Sequence, residues 1–121
     1  MNLAEFFSSQ TDHFTVPAGE LIFREGAPAS SMYVLLEGQA KVSIGERVVE
    51  EAGPGTLLAE LALIDKSPRA ATVAAVTDCK LLPIDEERFY QLVAQTPEFA
   101  THVMKIMAGR LRRVGDIIGE E

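Results

Sequence analysis

The stretch "LLAELALIDKSPRAATVAA", residues 57–75, determines how the rest of the sequence is interpreted. Most of its side chains are aliphatic or alanine, yet an acid, Glu60, and a base, Arg69, stand among them. Residues 57–63 follow a Gly-Pro-Gly turn and are predicted to form a short helix, whose first amides lack intrahelical partners. Arg69 can donate two charge-assisted hydrogen bonds to a phosphate, and an ionised Glu60 can only accept hydrogen bonds, for example from a sugar hydroxyl.

Those properties together describe a small pocket for a sugar phosphate. Two other interpretations fit the same residues. Glu60 would lie on the wet face of the short helix with Arg69 on a surface loop, or the two side chains would pair with each other. The residue types and their spacing do not separate these alternatives.

The composition is that of one globular domain, with 121 residues, 47% hydrophobic and 24% charged side chains. The net charge of −7 argues against nucleic-acid binding through the overall field of the protein. No apolar run approaches the ~20 residues that span a bilayer, and the first residues lack the features of a signal peptide. A single cysteine excludes an internal disulfide, so a cytoplasmic location is expected.

Before and after the quoted stretch, short β-favouring runs alternate with glycine-containing turns. They are Leu21–Phe23, 32–36, Ala40–Ile44, 47–51, 70–76 and 79–84. Even spacing of short strands predicts an antiparallel barrel or jelly roll. Gly45-Glu46 is predicted to form a tight hairpin, with glycine at positive φ.

Helical patterns occupy both ends of the chain. Residues 3–7 are predicted to form a short helix, and Asp85 is a predicted N-cap for a helix that contains Phe89. A second helix is expected from Thr96-Pro97 to about Val114, stopped by Gly115. It has one apolar face suited to the roll and a second with the spacing of a coiled-coil seam, which either joins the core or forms a homodimer. The seam residues are Ala100, Met104, Met107, Leu111, Val114 and Ile118.

Catalytic and metal-binding signals are weak. The two histidines have no ligand spacing and one cysteine is too few for a structural zinc site, so no metal or cofactor is expected. Cys79 lies in a strand-like run and is predicted to be a buried structural thiol. No serine or cysteine nucleophile stands in a recognisable motif, so we expect a binding module with no catalytic residue.

The segment "LAELALIDKSPRAATV" resembles the phosphate-binding cassette of the cyclic nucleotide-binding domain family. "PAGELIFREG" and "SMYVLLEGQAKV" are similar to the first strands of that family, and "FYQLVAQTPEFATHVMKIMAGRLR" to its closing helices. The resemblance implies a mainly β fold: an antiparallel, jelly-roll-like β-roll closed by C-terminal helices. One domain would span residues 1–121, with a helical segment at 1–13, the roll at 14–84, the cassette at 55–73 and helices at 85–118.

The resemblance also implies roles for individual residues. Glu60 would accept the ribose 2′-OH and Arg69 would bind the cyclic phosphate, and Ala70 in place of Ser or Thr favours cyclic AMP over cyclic GMP. Val49 is expected to wall the base pocket if it, and not Val48, points inward. Arg110 would either cover the purine or complement the helix dipole. Backbone amides would complete the phosphate cradle at Ala59, Leu61, Ala62, Ala70 and Ala71.

Three departures distinguish this sequence from the family pattern: Ala59 replaces a glycine, Leu58 replaces an aromatic residue, and Val114 and Gly115 stand where activator proteins carry polar residues that hydrogen-bond the adenine. The family glycine before the glutamate is Ala59 here, where a β-carbon narrows the cradle if φ is positive. The sequence ends at Glu121 with no helix-turn-helix, so it is either a stand-alone module or part of a larger protein, such as the sensor of a Crp/Fnr-like regulator. A module that dimerises without ligand is the alternative function.

Overall fold

The computed structural model describes the backbone of residues 1–119 and the side chains of residues 1–113. The chain divides into two compact units: the roll unit, residues 2–86, and the helical unit, which comprises Met1 and residues 87–121. The roll unit contains eight strands and two short helices. In chain order they are α1 (Leu3–Phe6), β1 (Phe14–Val16), β2 (Leu21–Phe23), β3 (Ser31–Glu37), β4 (Ala40–Ile44), β5 (Arg47–Ala52), β6 (Leu57–Leu58), α2 (Glu60–Ile64), β7 (Thr72–Ala75) and β8 (Cys79–Asp85).

The eight strands form two four-stranded antiparallel sheets. One has the order β1-β8-β3-β6 and the other β2-β7-β4-β5, so apart from the β4–β5 pair the neighbouring strands are not consecutive in the sequence. Small and aliphatic side chains from both sheets form one buried cluster, and Phe23 and Tyr33 pack against it. The glycine-punctuated strands predicted an antiparallel barrel or jelly roll, and the observed arrangement is the β-roll that the family resemblance implied. The cluster contains Val16, Leu35, Ala40, Ala52, Leu58, Val73, Ala75, Cys79 and Leu81.

Two local predictions in the roll are confirmed. Gly45, at φ 60°, connects β4 to β5 in a hairpin. Cys79 is buried, and its Sγ lies 3.3 Å from the carbonyl oxygens of both Gln39 and Thr77, so its single S–H can donate to either. Burial raises the pKa of the Cys79 thiol, which is consistent with a structural role.

The predicted helix at residues 57–63 is wrong in its first three residues. Leu57 and Leu58 form β6 instead and pair with Val34 and Tyr33 of β3. Both leucines are buried, so the ladder and the core outweigh their helix propensity. The helix α2 begins only at Glu60, after a single residue of left-handed backbone.

The helical unit contains α3 (Glu86–Gln95, whose first residue belongs to the roll unit) and α4 (Glu98–Gly119). Within this unit the rings of Phe89 and Phe99 meet edge to face at 6.0 Å. Asp85 directly precedes α3, as a predicted N-cap should. Gly115 does not end the second helix, which continues to Gly119, because an isolated glycine lowers helix stability by only about 1 kcal/mol.

Candidate functional site

A left-handed residue separates β6 from α2. Ala59 adopts φ 64° and ψ 34°, precedes the helix at its N-cap position, and forms no side-chain cap. A β-carbon in this conformation costs roughly 1–2 kcal/mol, which glycine avoids. The backbone at position 59 therefore has the conformation that favours glycine, which is the residue of the family pattern at this position, and this chain has alanine there.

Replacing this alanine tests the strain directly. We expect Ala59→Gly to raise the free energy of unfolding by up to about 1 kcal/mol, because relief of the left-handed penalty exceeds the added entropy of the unfolded chain. The matched control is Ala108→Gly within α4, which should lower it by about 1 kcal/mol. Urea unfolding followed by circular dichroism measures both. Loss of stability in both variants would contradict the assigned strain at Ala59.

Glu60 begins α2 and is buried, with 2% of its surface exposed. An acidic side chain in the first turn interacts favourably with the helix dipole. Burial excludes the interpretation in which Glu60 lies on the wet face of the helix. An acid is rarely buried unless its environment satisfies it, so this position is specialised.

Arg69 lies in the segment between α2 and β7, and only 6% of its surface is exposed. Its backbone is held on both sides: its N–H donates to the carbonyl of Ala27 at 3.0 Å, and its carbonyl accepts from the N–H of Gly26 at 2.8 Å. These bonds fix the direction in which the side chain leaves the loop. The interpretation of Arg69 as a residue on a surface loop is therefore wrong.

The guanidinium of Arg69 reaches β3. Nη1 donates to the carbonyl oxygen of Ser31 at 2.6 Å, and Nη2 lies 3.5 Å from the hydroxyl of Tyr33. Its central carbon stands 4.5 Å from the ring centre of Phe23 and 5.2 Å from that of Tyr33. Tyr33 also pairs with Leu58 of β6, the residue directly before Ala59. Strand β3 therefore lies beside both the Arg69 guanidinium and the start of the Ala59–Glu60 turn.

Charge is not neutralised around Arg69. In the part of the chain whose side chains the structure describes, Arg69 forms no ion pair with a carboxylate, including Glu60. Burial lowers the pKa of the Arg69 guanidinium, as expected for a cation removed from water. A buried cation without a counter-ion is unfavourable, and an anionic ligand would correct this. The interpretation in which Glu60 and Arg69 simply pair is also excluded.

The residues predicted to form the phosphate cradle come before and after Arg69 in the sequence. Leu61 and Ala62 are in the first turn of α2, where amides lack intrahelical acceptors, with Ala62 buried and Leu61 exposed. Ala70 is exposed and Ala71 half-buried, directly after Arg69. Their small side chains leave the main chain accessible from that side.

The two positions predicted to contact the base belong to β5 and α4. Val48 and Val49 of β5 are 48% and 47% exposed. A bulge in the β4–β5 ladder pairs Val42 with Glu50 and Ser43 with Val48. Val49 is the extra residue of this bulge and has no opposite residue in the ladder. The expectation that one valine points inward therefore has no support from the strand alternation. Arg110 belongs to α4 in the helical unit and is half-buried.

Three residues around Arg69 were not predicted: Ser31, Tyr33 and Phe23. Their residue types carry no binding signal, and their distance from Arg69 in the sequence hides the contact, which only the pairing of the strands creates. Among the described residues, no group of three or more His, Cys, Asp or Glu side chains is placed to hold a metal ion. No described helix is long and apolar enough to cross a membrane.

The chain is similar in sequence to known proteins. The sequence profile of the cyclic nucleotide-binding domain matches residues 13–96. The chain is 42% identical over 86 residues to a cyclic nucleotide-gated potassium channel of Mesorhizobium japonicum, covering 71% of this chain and 24% of the channel. It is 27% identical over 111 residues to the CRP-like cAMP-activated global transcriptional regulator of Mycobacterium tuberculosis, covering 86% of this chain and 49% of the regulator.

A solved structure gives the same result for the fold. The catabolite activator protein of Thermus thermophilus superposes with a TM-score of 0.78 at 27% identity, over 89% of this chain and 58% of that chain. The chain spans about half the length or less of the curated relatives described above. The two-sheet roll, the buried Glu60, the contact of Arg69 with β3 and the sequence match over most of the roll lead to one conclusion: the chain belongs to the cyclic nucleotide-binding domain family.

Proposed function

We propose that this chain is a regulatory sensor that binds cyclic AMP between Glu60 and Arg69 and performs no chemistry on it. The observation that carries the proposal is the buried guanidinium of Arg69, which has no carboxylate partner in the described part of the chain. A cyclic phosphate supplies one negative charge and acceptor oxygens of the geometry that a guanidinium binds. Ligand binding then offsets the desolvation of the cation.

Glu60 is assigned the other end of the ligand. An ionised carboxylate has only acceptor sites, so it suits a sugar hydroxyl and repels a phosphate. Glu60 is the first residue of α2 and directly follows the left-handed Ala59. We propose that this β6–α2 turn faces the ligand. The amides of Leu61, Ala62, Ala70 and Ala71, with that of Ala59, are proposed to complete the phosphate contacts.

The proposed preference for cyclic AMP rests on two observations. Ala70 offers no hydroxyl beside the arginine, and the regulator of M. tuberculosis to which this chain is similar is described as cAMP-activated. Val49 and Arg110 are proposed to contact the base. A cytoplasmic location is part of the same proposal, since cyclic AMP would be supplied there.

Isothermal titration of the intact chain with cyclic AMP, cyclic GMP and adenosine tests the proposal. We expect a micromolar or tighter Kd for cyclic AMP, weaker binding of cyclic GMP, and a large loss for adenosine, which lacks the phosphate. Millimolar or absent binding of both cyclic nucleotides would overturn the function. Equal affinity for cyclic AMP and cyclic GMP would overturn the specificity alone.

Signal transmission is proposed to run through α4. A ligand shifts a conformational equilibrium only by its differential affinity for the two states, so the moving element must present different surfaces in each. Met104 and Leu111 lie on one apolar seam of α4 and are 60% and 72% exposed. A second copy of the chain is the proposed partner for this seam. Ala100 and Met107 of the seam are half-buried, and the side chains of Val114 and Ile118 lie outside the described residues.

We expect Leu111→Ser to weaken self-association by well over tenfold, because burial of each leucine contributes roughly 1.5–3 kcal/mol, about 1.36 kcal/mol corresponds to a factor of ten, and a homodimer loses one leucine from each copy. Sedimentation equilibrium with and without cyclic AMP measures the effect. Tyr90→Ser, on the exposed face of α3, is the matched control and should leave association unchanged. A monomeric wild-type chain in both conditions would rule out the seam as a dimer interface.

Two other functions are kept as alternatives. The strained alanine at position 59 favours a module that dimerises without ligand, in which case association would be the same with and without nucleotide. The second alternative is that this chain is the sensor part of a Crp/Fnr-like transcriptional regulator, because it matches about half of the length of the M. tuberculosis regulator. In that alternative the DNA contacts would belong to residues outside this chain.

A further inference from the structure

Three aromatic side chains from three different strands meet beside Arg69. The rings of Phe23 and Tyr33 are nearly parallel, with centres 6.1 Å apart and an interplanar angle of 23°. Phe14 meets Tyr33 edge to face at 5.8 Å. We call Phe14, Phe23 and Tyr33 the aromatic platform. Since β1 and β3 belong to one sheet and β2 to the other, the platform links the two sheets at this point.

The contact of Arg69 with the platform leaves much of its hydrogen-bonding capacity available. A guanidinium has five N–H donors, and the bonds to Ser31 and Tyr33 use two of them. A cation held over a ring face is attracted through its charge and consumes no donor. The contact at 4.5 Å with Phe23 therefore fixes the group without occupying the N–H edge that a phosphate needs.

We propose that the aromatic platform positions the Arg69 guanidinium for an anionic ligand and thereby sets the affinity of the site for a cyclic phosphate. This inference rests on the proposed function for its ligand. Phe23 and Tyr33 act through Arg69 and are positioning residues. No property of the phosphate-binding cassette alone requires them, because they lie 46 and 36 positions before Arg69 on other strands.

The physical reason is preorganisation. An arginine side chain has many rotamers, and immobilising such a side chain on binding lowers affinity by up to about tenfold. The aromatic contacts and the bond to Ser31 remove that freedom before the ligand arrives. Burial strengthens the cation–π attraction compared with an exposed pair, so the platform is effective at this site.

The test uses the intact chain and cyclic AMP. We expect Phe23→Leu to weaken binding by about tenfold, while Tyr33→Phe, which keeps the ring, stays within about threefold of wild type, a loss expected from one weak hydrogen bond. Phe6→Leu, an exposed phenylalanine of α1, is the matched control and should have no effect. In the Arg69→Ala background, Phe23→Leu should cause no further loss. A similar loss in both backgrounds would show a general structural effect and overturn the proposal.

A second measurement on the unliganded chain separates this proposal from the proposed function. The side-chain NMR resonance of Arg69, assigned with Arg69→Lys, should be shifted by the ring currents of Phe23 and Tyr33, and Phe23→Leu should move it. An unchanged resonance would overturn the platform even if cyclic AMP binds. A shifted resonance together with no nucleotide binding would retain the contact, and would overturn both the proposed function and the link from the platform to affinity.

Discussion

Arg69→Ala is expected to weaken cyclic AMP binding by about 100-fold or more. A pair of hydrogen bonds to a charged group contributes roughly 3 kcal/mol or more, and 1.36 kcal/mol corresponds to a factor of ten. The loss should exceed these bonds if the ligand phosphate is left in a buried site without any cation. Isothermal titration measures the change, with circular dichroism to establish that the variant is folded.

Two variants make this result specific. Arg69→Lys keeps the charge but loses the planar fork, so it should retain part of the affinity. Arg112→Ala, on the exposed surface of α4, removes a cation elsewhere and should bind as wild type does. If Arg69→Ala binds cyclic AMP within about threefold of wild type, less than the loss of one such hydrogen bond, then the role of Arg69 is wrong.

Gly38→Ala is expected to cause the largest loss of stability, about 3 kcal/mol or more, from left-handed strain plus a backbone clash. Gly38 has φ 100°, and a β-carbon there would overlap the carbonyl oxygen of Asp78 and stand 3.0 Å from the Cα of Cys79. Backbone atoms cannot move aside as a flexible side chain does. Such a loss is a large fraction of the ~5–15 kcal/mol that stabilise a domain.

Gly19→Ala separates the two contributions to this effect. Gly19 has a similar φ of 88°, but a β-carbon there would have no neighbour within 4 Å. Its replacement should therefore cost only the conformational penalty, about 1 kcal/mol. Urea unfolding of both variants gives the difference. Equal losses of unfolding free energy in the two variants would mean that the close approach of the β-carbon to Asp78 does not lower stability.

Most of the roll could be predicted because its strands are short, glycine-bounded and β-branched. Leu21–Phe23 and Ala40–Ile44 have the predicted bounds. The strand β6 could not be predicted, since "LL" before alanine and glutamate has the local pattern of a helix. Its strand conformation comes from pairing with β3, which is a tertiary effect.

The charged residues of the candidate site could be proposed from the sequence, and their surroundings could not. The spacing of Glu60 and Arg69 in an apolar stretch, with the family resemblance, made both residues candidates. Ala59 was recognised because glycine is the usual residue there, and its φ of 64° gives the physical reason. The carbonyl of Ser31 and the rings of Phe23 and Tyr33 could not be predicted, because a backbone acceptor and core aromatics have no sequence pattern of their own.

The alanines of the quoted stretch now have different roles. Ala70 and Ala71 leave the backbone beside Arg69 accessible, and Ala75 fills the core between the sheets. Among the alanines of the stretch, Ala59 has a positive φ, as does the non-alanine Lys66. The stretch therefore combines a core strand, a strained turn and a buried cation within nineteen residues, 57–75.

The central claim is that Glu60 and Arg69 bind the two ends of one cyclic nucleotide. A crystal structure of the intact chain with cyclic AMP tests it most directly. We predict phosphate density within hydrogen-bond distance of the Arg69 guanidinium and the ribose 2′-OH at Glu60. A nucleotide bound away from Arg69, or no nucleotide density at saturating cyclic AMP, would contradict the account.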